Sequence, residues 1–429
     1  MRSRARGAAR DTFRSLRVRN FRLFFTGQLI SQTGTWLSMV AQTLLVLRLT
    51  RSGVAVGLLT AYQFAPVLVL GAWAGTVADR SDKRRLLTVL QTVAMVQSVA
   101  LAAVAFSGHA SLVAIYVLAG IQGVITALDN PTRRAFVVEM VDAPDVANAV
   151  SLNSAVMTGS RVVGPALAGA LVVTVGFGWA FLLDAVSYSA VIVGLLMMRS
   201  SELHPSIPAI RAPGQVREGL RYVRANDHLL VPLVMMAIVG TLAFNFQVTI
   251  PLLVTGPLGG GDGTFTLLFS VVSGGSLMGA LWTARRTAVT GRQLIVACAG
   301  FGVAMLGLAA APGLGLAFPV GVLLGVTSIA FMTSSTAIVQ VCSAPEYRGR
   351  VLALQSMVFL GSTPIGGPLI GWISDVAGPR AGVAVGGLAC LVAAAYGARA
   401  LGPSGEKGRV DRGEPESSVL DEDTVALAD

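Results

Sequence analysis

The sequence predicts an all-α integral membrane protein of twelve transmembrane helices in two six-helix halves. Three observations lead there. The 429 residues are 54% hydrophobic and 13% charged, with a mean hydropathy of +0.71, far from the composition of a soluble globular chain. Twelve apolar stretches approach or exceed the ~20 residues a helix needs to cross a bilayer. Lys and Arg fall almost wholly on alternate connections between those stretches, the pattern of a membrane protein with a defined orientation.

The first stretch, 23–47, follows eight arginines. It is longer than the ~7 to 15 apolar residues of a secretory signal and has no small-residue cleavage site, so it is a retained helix. Just before it, residues 12–22 set Phe13, Leu16 and Phe21 among arginines, as in an amphipathic segment lying on an anionic leaflet. Spans two to six are expected at 54–77, 86–106, 111–128, 149–175 and 178–198. Pro66 and Pro165 fall inside two of them and are tolerated because neighbouring helices re-satisfy the backbone. A linker, 199–228, carries Pro205, Pro208 and Pro213 and then a short surface helix from Gln215 to Arg224. Spans seven to twelve follow at 229–255, 264–284, 293–311, 314–340, 351–375 and 381–400, the eleventh containing Pro364. The organisation is therefore a basic segment (1–22), a first half (23–198), the linker, a second half (229–400) and an acidic, Gly/Pro/Ser-rich tail (401–429) expected to be disordered.

The net charge of +10 would point a soluble protein toward nucleic acid, but its distribution gives it another meaning. With the amino terminus inside, 28 Lys and Arg lie in inside segments and three, Arg48, Arg51 and Arg380, lie outside. Both termini are thus expected to be cytoplasmic, with no role in binding nucleic acid. Thirty Arg against two Lys, among abundant Ala, Gly and Val, points to a GC-rich bacterial genome and so to a bacterial plasma membrane. Cys298, Cys342 and Cys390 stand singly without metal-ligand spacing, so no disulfide framework, metal or cofactor is expected.

Two fixed-offset similarities indicate an internal repeat. Gly71, Gly75 and Asp79 match Gly275, Gly279 and Thr283, while Pro144, Gly159, Ser160, Gly164 and Pro165 match Pro345, Gly361, Ser362, Gly367 and Pro368. Span two thus repeats as span eight and span five as span eleven. Six spans per half give both halves the same orientation, related by an axis along the membrane normal.

At these residues the sequence resembles the major facilitator superfamily. The family signature after span two is met by Gly75, Asp79, Arg80, Lys83 and Arg84, with Asp82 where the family carries Gly. Gly159, Gly164, Pro165 and Gly169 resemble the fifth-span helix-packing signature of its exporters. Asn20 to Phe24, Gly27-Gln28, Asn130 to Arg134 and Asn148-Ala149 are similar to the branch of enterobactin exporters and macrolide efflux pumps. The resemblance implies a monomeric antiporter-type exporter of drugs or siderophores, in which Asp79 latches the halves at the amino terminus of span eleven, near Val351. The residues themselves allow that latch, because a helix amino terminus favours a carboxylate and Gly75 permits close approach. They equally allow plain inside-loop charge.

Span one places Gln28, Ser31, Thr35, Ser38 and Gln42 on one face with Gln32 beside it. Such a stripe either lines a substrate cavity or bonds neighbouring helices. Tyr62, Gln63, Asn245, Gln247 and Gln355 are further cavity candidates. These neutral groups among aliphatic and aromatic residues suit an amphipathic, mainly uncharged small molecule. Two ionisable residues fall inside spans. Arg161, near the middle of span five, would cost at least ~2.5 to 3.5 kcal/mol unpaired. Asp184, in span six, lies about 12 Å away in depth. Asp184 is read as a proton-coupling carboxylate, with Arg161 its modulator or an anion contact for cargo; alternatively both only bond nearby helix groups. No nucleotide-hydrolysing motif and no nucleophile–base set is present, the glycines at 259–263 lacking a phosphate-loop ending, so an enzyme is not expected. The expected function is secondary transport of a small molecule across the bilayer, driven by a proton or other ion gradient. The alternatives are import of a nutrient or siderophore, and a non-transporting scaffold or sensor.

Overall fold

A computed structural model describes residues 13–204, 215–284 and 290–401, and among these it contains helices and turns without strands. The acidic tail from 402, the linker prolines, and Arg285 and Arg286 lie outside the described residues. The first half consists of α1 (Arg19–Thr50), α2 (Gly53–Arg80), α3 (Lys83–Phe106), α4 (Leu112–Glu139), α5 (Val146–Thr174) and α6 (Phe177–Leu196). The linker helix α7 (Gln215–Arg224) precedes α8 (Asp227–Leu242), α9 (Phe246–Thr255), α10 (Asp262–Ala284), α11 (Gly291–Ala310), α12 (Leu314–Cys342), α13 (Pro345–Ala377) and α14 (Pro379–Leu401). Eleven helical stretches are long and apolar enough to cross a membrane. The remaining span, α1, has the length at 32 residues, and its polar stripe accounts for its lower apolarity.

Four expectations need correcting. Span four does not stop at residue 128: α4 runs through Pro131 to Glu139, so Asp129, Arg133 and Arg134 are helical. Asp129 and Arg133 lie one turn apart and form an ion pair, and mutual neutralisation lets the helix carry them into the interior, where hydropathy alone would end it. Span eleven begins at Pro345 rather than near Val351, since proline suits a first helical position, where its missing N–H is not needed. Span seven is two helices, α8 and α9, parted at 243–245, where the Asn245 side chain donates to the Thr241 carbonyl at 2.7 Å and competes with the helical ladder. The segment at 12–22 is not a free surface helix. Residues 14–17 form one 3₁₀ turn, Ser15 bonds Asn148 at 2.7 Å, and Arg14 pairs with Asp145 at 2.8 Å. Phe21 already belongs to α1 and is fully buried in a cluster with Phe24 and Phe136.

The two halves repeat one packing scheme. In the first, α1 and α3 pack on α6, and α2 on α4; in the second, α8 and α11 pack on α14, and α10 on α12. The halves meet through α2 against α13 and α5 against α10. The linker helix belongs with the second half, for Tyr222 stacks on Tyr347 at 4.3 Å and Glu218 pairs with Arg350 at 2.9 Å.

Candidate functional site

The halves are closed at the end opposite the basic loops and apart at the basic end. On α5, Pro165, Ala168 and Val172 are buried, while Arg161, Ser154 and Val150, which continue the same face toward the basic end, are exposed. On α13, Gly361, Gly367 and Gly371 are buried along the face that meets α2, whereas Met357 and Ala353 on that face are exposed. Between pairs of described residues, every hydrogen bond and ion pair that joins the halves lies at the closed end or at mid-depth. The Asp375 carboxylate of α13 accepts from the Gly53 amide at 2.5 Å, the Val54 amide at 3.0 Å and the Ser52 hydroxyl at 2.7 Å, so it caps the amino terminus of α2. Arg48 pairs with Asp262 at 2.5 Å and lies 4.9 Å from the centre of the Phe177 ring. Bare backbones make this approach possible: a Cβ at Gly57 would run into the Gly367 carbonyl and reach Pro368 Cα at 2.7 Å.

Within the first half, Thr35, Ser38, Met39, Gln42, Gln63, Gln97, Gln122, Asp184 and Tyr188 line one small pocket. Asp184 is 1% exposed, accepts from the Ser98 hydroxyl at 2.5 Å, and has no hydrogen-bond partner for Oδ1 among the described residues. Among the described residues no cation pairs with it, and Arg161, expected about 12 Å away in depth, forms no ion pair with it. Gly34 on α1 makes room for the carboxylate, because a Cβ there would meet Oδ1 at 2.8 Å. The Tyr188 and Thr35 hydroxyls lie 3.1 Å apart. The polar stripe therefore faces the interior of its own half: Gln28, Ser31, Gln32, Ser38 and Gln42 are buried there, and Gln63 donates to Gln42 at 3.5 Å. The stripe bonds neighbouring helices of its own half through Thr35–Tyr188 and Gln42–Gln63, and Thr35, Ser38, Gln42 and Gln63 also line the pocket beside Asp184.

Toward the basic end, Gln91 donates to Asp129 at 2.9 Å, and the Gln32 amide, turned so that its oxygen faces the guanidinium as the surrounding donors require, accepts from Arg133 at 2.6 and 3.0 Å. Arg133 also contacts the Met157 sulfur at 3.1 Å, so its guanidinium ties together spans one, four and five. Lys83 is buried and pairs with Glu139 at 2.8 Å. Arg84 donates to the Leu195 and Leu196 carbonyls at 2.7 and 3.0 Å and to Ser200 at 2.5 Å. Two of the three basic residues of the span-two signature, Lys83 and Arg84, are thus engaged inside the first half. Arg80 is exposed, Asp79 is half-buried in the last turn of α2, and Gly75 is buried beside it.

The other candidates are dispersed. Arg161 is exposed on α5, its guanidinium 4.9 Å from the centre of the Trp36 ring. Tyr62 is exposed and stacks on Tyr116 at 5.2 Å. Gln355 donates to Ser335 at 3.1 Å. Asn245 is buried at the break in span seven, and the next polar residue, Gln247, crosses between the halves to the Met39 sulfur at 2.7 Å. Gly164 is packed on Trp36 and Thr33 of α1, Gly169 on Thr266 of α10, and Pro165 is buried between them, whereas a Cβ at Gly159 would meet nothing within 4 Å. Sequence reasoning missed Asp375, Gly34 and the aromatic cluster of Phe244, Phe246, Phe301 and Phe359 around the break, with ring centroids 5.1 to 5.9 Å apart. The Phe-Asn-Phe run at 244–246 was the available signal for that cluster.

Comparison with known proteins agrees with this architecture. Residues 10–423 match the family described as transmembrane secretion effector. A staphyloferrin A transporter of Staphylococcus aureus (strain NCTC 8325 / PS 47) is 27% identical over 166 residues, covering 38% of this chain and 42% of that relative. An uncharacterised transporter of the same superfamily, YfiS of Bacillus subtilis (strain 168), is 28% identical over 383 residues, 81% of this chain and 85% of its own length. Among solved structures, a D-xylose–proton symporter superposes with a TM-score of 0.71 at 14% identity, covering 90% of this chain and 97% of that one. A bacterial homologue of the human lysosomal transporter Spinster, inward-facing and unoccupied, gives 0.68 at 15% identity, covering 89% and 95%. The chain belongs to the transmembrane secretion effector family of the major facilitator superfamily, whose members are membrane transporters and not enzymes.

Proposed function

We propose that the protein is a proton-coupled exporter of an amphipathic small molecule in a bacterial plasma membrane, with its basic end and both termini in the cytoplasm. The strong bias of Lys and Arg to one end supports that orientation, in which the opening between the halves faces the inside, where an exporter loads. The observation that carries the coupling is Asp184. It is a buried carboxyl that accepts from the neutral Ser98 hydroxyl and has no ion pair among the described residues, so gaining or losing a proton changes the energy of the first half by far more than it would in water. Met39 lines the Asp184 pocket and also receives Gln247 from the second half, which supports communication between the proton site and the interface of the halves.

Alternating access then uses one helix pair at both ends. Asp375, in the last turn of α13, caps the start of α2 on the outside; Asp79, in the last turn of α2, would cap the start of α13 on the inside when that end closes. Arg80 flanks Asp79 in this latch, and Lys83 and Arg84, held by Glu139 and by the Leu195 and Leu196 carbonyls, brace the loop behind it within the first half.

The test is transport in everted vesicles with an imposed pH gradient. The wild-type protein accumulates a lipophilic dye when the lumen is acidic, and Asp184→Asn loses the gradient-driven component while keeping passive exchange. Full gradient-driven accumulation by Asp184→Asn removes the coupling role, and uptake into cells without export identifies an importer. A siderophore belongs among the cargoes assayed, on the likeness to a staphyloferrin A transporter.

A further inference from the structure

We infer that the opening between the halves takes an amphiphile with an acidic head, its head held by Arg161 beside Trp36 and its apolar body against the phenylalanine cluster around the break in span seven. The inference rests on the transport reading above and narrows the chemistry of the cargo.

Arg161 is the only Lys or Arg that the sequence places at mid-span. Among the described residues it has no ion pair or hydrogen bond, and its partner is the face of the Trp36 ring at 4.9 Å. An arginine at membrane depth is costly unless something compensates its charge, and one aromatic face satisfies none of its five N–H donors. Those donors form a planar fork that matches the oxygens of a carboxylate, sulfonate or phosphate.

The side chain faces the opening and not lipid. On α5, Gly164 is packed against α1 and Gly169 against α10 of the other half, and Arg161 lies on the arc between these two directions. Pro165, Ala168 and Val172 continue that arc and are buried where the halves close, so Arg161 is the first exposed side chain below the seal. Trp36 and Met39 lie three residues apart on one side of α1, and Met39 receives Gln247 of α9 at 2.7 Å. Gln247 follows Phe246, and Phe244, Phe246 and Phe359 are half-buried: Phe246 is tilted against Phe244 at 5.8 Å and Phe359 of α13 meets Phe244 edge-on at 5.3 Å, with the fully buried Phe301 behind them at 5.9 Å from Phe246. A cation with an indole on one wall and an apolar aromatic group on the other, joined at Met39–Gln247, select for an anionic head and a hydrophobic body in the same molecule.

The full-length protein in zwitterionic lipid nanodiscs is titrated with two fluorophores that share one ring system, anilinonaphthalene sulfonate and uncharged phenylnaphthylamine, with empty nanodiscs subtracted. The wild-type protein is expected to favour the sulfonate by about tenfold or more. Arg161→Gln should lower the ratio of sulfonate to neutral affinity toward one, and Arg161→Lys should recover part of it. Equal affinity of the wild-type protein for both probes overturns the inference without any variant. An unchanged ratio in Arg161→Gln, or an equal loss of both probes with the helical fold intact, also overturns it. Export of phenylnaphthylamine in the vesicle assay is a separate readout. Its failure with the sulfonate preference kept removes the export reading alone, and its success with no preference removes the acidic-head site alone.

Discussion

The Asp375 carboxylate, in the last turn of α13, accepts the amide of Gly53, in the first turn of α2, at 2.5 Å. At the end of its own helix a carboxylate opposes the helix dipole, and at the start of α2 it complements one. Asp375 recovers that advantage only while the two halves touch, so the contact favours one conformation over the other. Charge-assisted hydrogen bonds of this kind contribute about 1.5 to 3 kcal/mol. Asp375→Asn is expected to shift the population toward opening at this end by about tenfold or more. Spin-label distances across α2 and α13 at that end read the shift, and an unchanged distribution would show that the cap contributes nothing to closure.

Arg48–Asp262 bridges the halves at the same end, yet the Arg48 side chain is 57% exposed. Exposed pairs contribute ~0 to 1 kcal/mol and weaken with salt. Arg48→Ala should therefore move the same distance distribution much less than Asp375→Asn, and raising ionic strength should mimic it.

Closure also requires that Gly57 and Gly367 lack side chains. Gly57→Val places atoms on the Gly367 carbonyl and on Pro368, so the closed end cannot form and cargo turnover in vesicles should fall to background. Gly71 lies on the same helix, where an added Cβ would meet nothing within 4 Å, and Gly71→Ala, which favours helix by ~1 kcal/mol, should leave closure at this end intact. If Gly57→Val transported normally, the packing of α2 on α13 would not be part of the cycle.

Gly34 sets the space around Asp184. Gly34→Ala brings a methyl group against Oδ1 at 2.8 Å and against Ser187. Overpacking of this size costs about 1 to 3 kcal/mol. The expected result is a lower melting temperature together with altered pH dependence of transport, measured in the vesicle assay. A variant with wild-type stability and pH dependence would show that the pocket adjusts freely around its carboxyl group.

Lys83 and Glu139 are each 7% exposed and 2.8 Å apart. Removing one partner of such a buried pair typically costs 3 to 5 kcal/mol, on the order of the whole stability of a small domain, whereas replacing both with apolar residues is often neutral. Lys83→Met should be strongly destabilised in thermal unfolding, and Lys83→Met combined with Glu139→Leu should regain most of the loss. Equal destabilisation of the single and double variants would mean that the two side chains act independently.

Hydropathy and charge are properties that a chain carries residue by residue, and they were sufficient for the spans, the halves and the uneven distribution of Lys and Arg. The run that became α6 and the arginines ahead of α1 needed no neighbour to be read. Asp184 and Arg161 were likewise legible, because a charge inside an apolar run stands out whatever surrounds it. The partner of a polar side chain is not carried in the same way. Apolarity ended span four at Asp129, and the helix continues because Arg133 neutralises that carboxylate one turn later and Gln91 and Gln32 satisfy the pair. The stripe on α1 had the right periodicity, but whether it met a cavity or its own half depended on how α1 is rotated against α6. Asp375 looked like one more residue at a span end, and it became a cap only because α13 brings it to the amino terminus of α2, more than 300 positions away in sequence. Sequence alone determined which segments enter the membrane and which charges are costly there. Tertiary packing decided which neighbour compensates each charge, since compensation acts over a few ångströms in space and not along the chain.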